Sequence, residues 1–140
     1  MASFNKFHAF STDLCTKVHN LGSDTLNVYL SNDAPSASGD SVKADLAEIA
    51  TGNGYTGPVD TQNTGSGSGG TYTVSGTKIT ITATGAVSTF RYVVLYNDTA
   101  ASDPLIGWWD FGSSVSLQSG ETFAIKFNNS DTTGTVLTVS

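Results

Sequence analysis

Side chains able to do chemistry are few and scattered in this chain. Histidine occurs only as His8 and His19, and neither stands at a spacing that brings metal ligands or a nucleophile with it. Asp98, Asp103 and Asp110 lie close together along the chain, where carboxylates could hold calcium or share acid–base work. Their contexts, Asn-Asp-Thr and Ser-Asp-Pro among them, are instead turn sequences in which the side chain caps its own backbone. The run Gly65-Ser-Gly-Ser-Gly-Gly70 shares only its glycine content with a phosphate-cradling loop, because the Lys-Ser/Thr ending and the following helix are both missing. The pattern predicts no enzyme, no cofactor and no metal centre. The single cysteine, Cys15, cannot pair within the chain and reads as a small buried apolar residue.

Aromatic side chains are the stronger signal, and they point to contact rather than catalysis. Trp108 and Trp109 are adjacent, so on a strand they face opposite ways. The parity of Leu105, Trp109 and Phe111 makes these the inward set and turns Trp108 outward, where it would fill a partner's pocket or stack on a sugar ring; the other reading buries both rings between two layers. Phe4, Phe7 and Phe10 recur every third residue around Lys6 and His8, as an extended arm over residues 1–12 or an edge strand docked by its aromatics. Tyr55 is the only large anchor in a glycine-rich stretch. Phe4, Phe7, Tyr55 and Trp108 are the expected partner-contact residues.

The elements that must position these residues are strands. Leu26, Val28 and Leu30 alternate with polar neighbours, which is the period of a half-buried strand. Phe90 to Tyr96 is apolar on both parities and predicts a central strand covered on two faces. Tyr72 to Ala83 reads as strand, Ser75-Gly76 turn and strand, a hairpin. A three-residue loop with Gly120 at a left-handed position is expected to join Val115–Leu117 to Phe123–Phe127, and a last strand follows over Thr135–Val139. One short helix is predicted where Val42, Leu46 and Ile49 fall at i, i+4 and i+7. Residues 51–70 hold seven glycines and predict a long surface loop within one domain spanning 1–140.

Composition narrows the partners. Twelve acidic against six basic residues give a net charge of −6, and Arg91 is the only arginine. Five isolated lysines make no basic face, which argues against nucleic acid and against an anionic membrane. Charged residues are 13% of the chain, against about 25% in an ordinary globular domain, so the exterior is built from uncharged hydroxyl groups whose contacts depend little on salt or pH. No basic segment followed by an apolar run opens the sequence, so no secretory signal is expected.

Four motifs carry a family resemblance. His19-Asn-Leu-Gly-Ser-Asp-Thr-Leu26, Gly52-Asn-Gly-Tyr55, Tyr96-Asn-Asp98 and Pro104-Leu-Ile-Gly-Trp-Trp-Asp-Phe-Gly112 are similar to those of small tailed-bacteriophage virion proteins, the head decoration or cement proteins. The chain departs from that pattern after Tyr55, where Thr56-Gly57-Pro58 stands in place of a glycine pair. The resemblance implies an all-β antiparallel sandwich, jelly-roll-like, that assembles in the host cytoplasm and binds the major capsid protein on the outside of the head as a homo-oligomer. The alternative it leaves open is a tail or fibre module that adheres to host glycans. Deleting residues 1–10 is expected on this reading to abolish capsid binding and leave the β structure intact.

Overall fold

The computed structural model describes residues 2–140. In chain order its elements are β1 (Phe4–Lys6), α1 (His8–Cys15), β2 (Leu26–Ser31), β3 (Val59–Asp60), β4 (Thr64–Ser68), β5 (Thr71–Thr77), β6 (Ile79–Thr82), β7 (Phe90–Asn97), β8 (Leu105–Val115), β9 (Thr122–Ile125) and β10 (Thr133–Val139), with 3-10 turns at Lys43–Asp45 and Phe127–Asn129. A five-stranded sheet runs β1-β8-β7-β2-β3, and two smaller sheets run β10-β5-β4 and β6-β9. Each strand pair is antiparallel. The protein is thus an all-β, antiparallel, sandwich-like fold. Its main core lies where Val28, Leu30, Val93, Leu95 and Ile106 of the large sheet meet Val74, Ile79, Ile81, Ile125, Val136 and Leu137 of the small ones.

β7 is the central strand its two-parity apolar pattern predicts, flanked by β2 and β8. Its alternate residues Val94 and Tyr96 feed a second core with Phe7, Tyr29, Leu46 and Leu105 on the sheet's outer face. Cores on both faces of one sheet explain why no period-two alternation survives along it.

Several local expectations change. The predicted helix at 41–49 is only the 3-10 turn Lys43–Asp45, because Leu46 packs into the outer core while Ile49 packs into the main one. One helical stripe cannot serve two cores on opposite sides of a sheet. The helix lies instead at His8–Cys15, where Phe10 and Leu14, four apart, turn inward. Cys15 is exposed rather than buried, since those two residues take the inner face.

The Ser75-Gly76 hairpin does not form: β5 runs straight through both residues and pairs with β4 and β10. Gly76 serves close packing, for a Cβ there would sit 2.9 Å from Val136 Cγ2. Gly120 does take the left-handed turn, φ +88°, but the strand after it pairs with β6, not with β8. The glycine-rich stretch is partly strand. β4 lies beside β5, and a Cβ on Gly65 would run into the Tyr72 ring, so glycine lets that ring lie across the edge strand.

Candidate functional site

The carboxylates do not converge. Asp98 accepts a hydrogen bond from the Tyr96 hydroxyl at 3.3 Å, and Asp110 is held by Arg91 through Nε to Oδ1 at 2.8 Å and Nη2 to Oδ2 at 3.1 Å. Asp103 sits in a turn at φ +49° with its carbonyl accepting from Lys43 N at 2.9 Å. Among the described residues no three His, Cys, Asp or Glu side chains gather as ligands for a metal ion. Hydrogen bonds from Arg91 and from Gly112 N hold the Asp110 carboxyl below its ordinary range.

Two of the four expected contact residues are internal. Phe7 and Tyr55 are buried at 0% and 2% exposure, so neither presents a surface. Phe7 fills the outer core against the Trp108 ring, centroids 4.6 Å apart. The Tyr55 hydroxyl donates to Glu48 Oε2 at 2.6 Å and accepts from Leu30 N at 3.1 Å, pinning the glycine-rich stretch to β2. Phe4 and Trp108 are half-buried, and Phe4 packs on Trp109 at 5.3 Å. Residues 2–10 are therefore no detachable arm: Phe7 and Phe10 are core and β1 is a strand of the sheet. Their deletion would damage the fold, which corrects the expectation that it leaves the β structure intact.

The parity reading of β8 fails for a physical reason. Between Leu95 and Tyr96 the β7–β8 register slips, with Leu95 opposite Gly107 and Tyr96 opposite Leu105. Ile106 is the extra residue of a β-bulge, and it reverses the facing of everything beyond it. Leu105 and Trp108 accordingly share the outer core, while Ile106 and Trp109 share the main one.

A second and larger bulge makes the surface feature that sequence reasoning missed. Tyr92 pairs with Asp110 but Phe90 pairs with Val115, so Phe111, Gly112, Ser113 and Ser114 arch out opposite Arg91 alone. The arch is braced by the Arg91–Asp110 fork and by Gly112 N donating to Asp110 Oδ1 at 2.7 Å, with Gly112 at φ +95°. It projects Phe111, 54% exposed, beside Phe123 at 5.6 Å. Next to it an apolar groove of about 260 Å³ opens between β8 and β9, floored by Trp109, Phe123, Ile125 and Phe127. The sequence signal was Asp110-Phe-Gly112, an aspartate two residues before a glycine, a turn-forming pair inside what reads as one strand.

At the opposite end of the sheet, His19 is buried and joins a polar network. Asn97 Nδ2 lies 2.7 Å from Asp24 Oδ2 and 3.0 Å from His19 Nδ1, and Phe10 packs on the imidazole at 5.2 Å. Burial lowers the His19 pKa from its ordinary 6.5, against the opposing pull of Asp13 and Asp24.

No protein-family model, curated protein or solved structure matches the chain.

Proposed function

We propose that the protein is a bacteriophage capsid decoration, or cement, protein that binds the major capsid protein on the outer shell and reinforces the head. The observation that carries this reading is the braced arch. A charge-poor sandwich spends an ion pair and a left-handed glycine to hold one aromatic side chain in solvent, and an exposed aromatic beside an apolar groove suits a protein contact. The four family-like motifs support the same role, as does an exterior such as that of β4, built only from Thr, Ser and Gly, all exposed. The assignment moves the contact from Phe7 and Tyr55 to Phe111, which shares its groove with Trp109 and Phe123, while Phe4 and Trp108 stay half-buried on opposite faces of the sheet. Many such small contacts across a shell would act by avidity, which multiplies modest single-site affinity.

The test is sedimentation of the purified protein with undecorated capsids, followed by imaging of the pellet. Saturable co-sedimentation with new ordered density on the outer shell is the expected result, and Phe111→Ser should weaken it while leaving the β spectrum unchanged. Absence of capsid binding, with retention on host polysaccharide, would replace this reading by a tail or fibre module that adheres to glycans.

A further inference from the structure

We infer that His19 is an acid-sensitive latch: its protonation releases α1 and the joint that follows it, residues 16–25, from the end of β7. The inference rests on the fold alone and stands whether or not the protein decorates a capsid.

The amide of Asn97 fixes the protonation state of His19. Asn97 Oδ1 accepts from Thr99 N at 2.9 Å and from Ala100 N at 3.1 Å. Both partners are backbone N–H groups, which can only donate, so the amide cannot be flipped. Its Nδ2 therefore points at Asp24 Oδ2 and at His19 Nδ1, and one hydrogen goes to each. His19 Nδ1 must then be a bare acceptor, and the neutral ring carries its proton on Nε2. Among the described residues Nε2 has no hydrogen-bond partner.

A second proton has nowhere to go. On Nδ1 it would set N–H against N–H across 3.0 Å, and the resulting cation would be buried without an acceptor on either nitrogen. The charged groups around the ring are Asp13 of α1 and Asp24 of the joint. The Asp24 oxygen nearest the network is already engaged by Asn20 N at 2.8 Å and by the Asn97 amide. From β7 the facing group is the uncharged Asn97, and Phe10 of α1 covers the ring.

The joint is built so that it can give way. Lys17 closes α1 in the left-handed region, φ +71°, while Val18 N donates back to Asp13 O at 2.9 Å. This is the helix-ending position that glycine normally fills, so a lysine there holds strain that opening relieves. Beside it lies a cleft of about 670 Å³ bounded by Leu14, Val18, Leu21, Tyr72 and Val139, which leaves the joint free of tight packing on that side.

The sign follows from linkage. The folded protein binds the His19 proton less well than the unfolded chain, so the stability that neutral His19 contributes is complete above about pH 6.5 and is lost as pH falls through the lower folded value.

The experiment is amide exchange of residues 8–15 between pH 7.5 and 5, corrected for the intrinsic chemical rate, with β7 as internal reference. Protection of α1 should fall by up to about tenfold per pH unit once His19 titrates, the limit for one linked proton, while β7 stays protected. His8→Gln should leave the profile as it is. His19→Gln, which takes up no proton, should keep α1 protected at pH 5. A nitrogen-detected imidazole spectrum of the unaltered protein tests the premise directly. Nδ1 carrying the proton at neutral pH, or an acid loss of protection that persists in His19→Gln, would overturn the inference.

Discussion

Phe7 and Trp108 pack ring to ring on the outer face of the five-stranded sheet, centroids 4.6 Å apart, while Phe4 and Trp109 pair at 5.3 Å on its inner side. Two phenylalanines three residues apart thus straddle the sheet edge and cover two consecutive tryptophans. The N-terminal strand is a clip over both faces of β8. Phe7 is wholly buried, so Phe7→Ala should cost about 3–5 kcal/mol in urea unfolding, the range for emptying a buried aromatic site. Phe4→Ala, at a half-buried site, should cost clearly less.

Gly107 tests the clip from the other side. A Cβ on it would meet the Phe4 ring and sit 2.5 Å from Asn5 O. Gly107→Ala should displace β1 and let water reach both tryptophans, read as a red shift of their emission, with a loss of about 1–3 kcal/mol typical of overpacking.

Tyr55→Phe removes a buried hydroxyl that bonds both Glu48 and Leu30 N. Leaving a buried backbone N–H unpaired should cost about 1–3 kcal/mol. Burial raises the phenol pKa of Tyr55 and Tyr29 well above the ordinary 10, and burial pushes Tyr96 up to about 12. Each stays protonated in the folded protein where the unfolded chain would ionise. Their contribution is complete below pH 10 and is lost as pH rises through the raised values, so unfolding midpoints should fall steeply above pH 10. The fall should be shallower in Tyr55→Phe.

Arg91→Ala should free the arch without unfolding the sheet. Exchange of the Gly112 amide should accelerate several-fold, with little change in Tm, because the pair is partly solvated. Asp110 titrates below its ordinary 3.8, chiefly through the Arg91 hydrogen bonds. The bracing is therefore complete above about pH 4 and is lost as pH falls through the lower value, a loss that Arg91→Ala should already mimic at neutral pH.

The strands were legible where one period decides their facing. Leu26, Val28 and Leu30 share one face as their alternation predicts, with Tyr29 turned into the outer core, and Phe90 to Tyr96 show no alternation because apolar residues serve both cores. Facing along β8 was not legible, since the extra Ile106 reverses it and the neighbouring Gly107, though a residue that often marks a bulge, does not tell which residue is extra. Pairing was the other blind spot. Ser75-Gly76 has the composition of a turn, yet the distant Val136 and Phe127 decide what Gly76 is for. Tyr55 anchors the glycine-rich stretch inward instead of meeting a partner: its hydroxyl answers a backbone donor on β2 that no residue type reveals. The proposed contact surface depends on an arch of four residues that only the mismatch between two strands creates.

The order of the large sheet bears on how the chain is made. β2 lies between β3 and β7, and β1 waits for β8 across more than half the chain. On the ribosome the first thirty or so residues emerge with their aromatics unmatched, and no sheet can shelter Phe4 or Phe7 until the tryptophans have been synthesised. Closure by long-range pairing is slow and leaves apolar side chains uncovered meanwhile. With these aromatics uncovered during synthesis, yield should depend on slow, cool expression more than on the final stability of the sandwich.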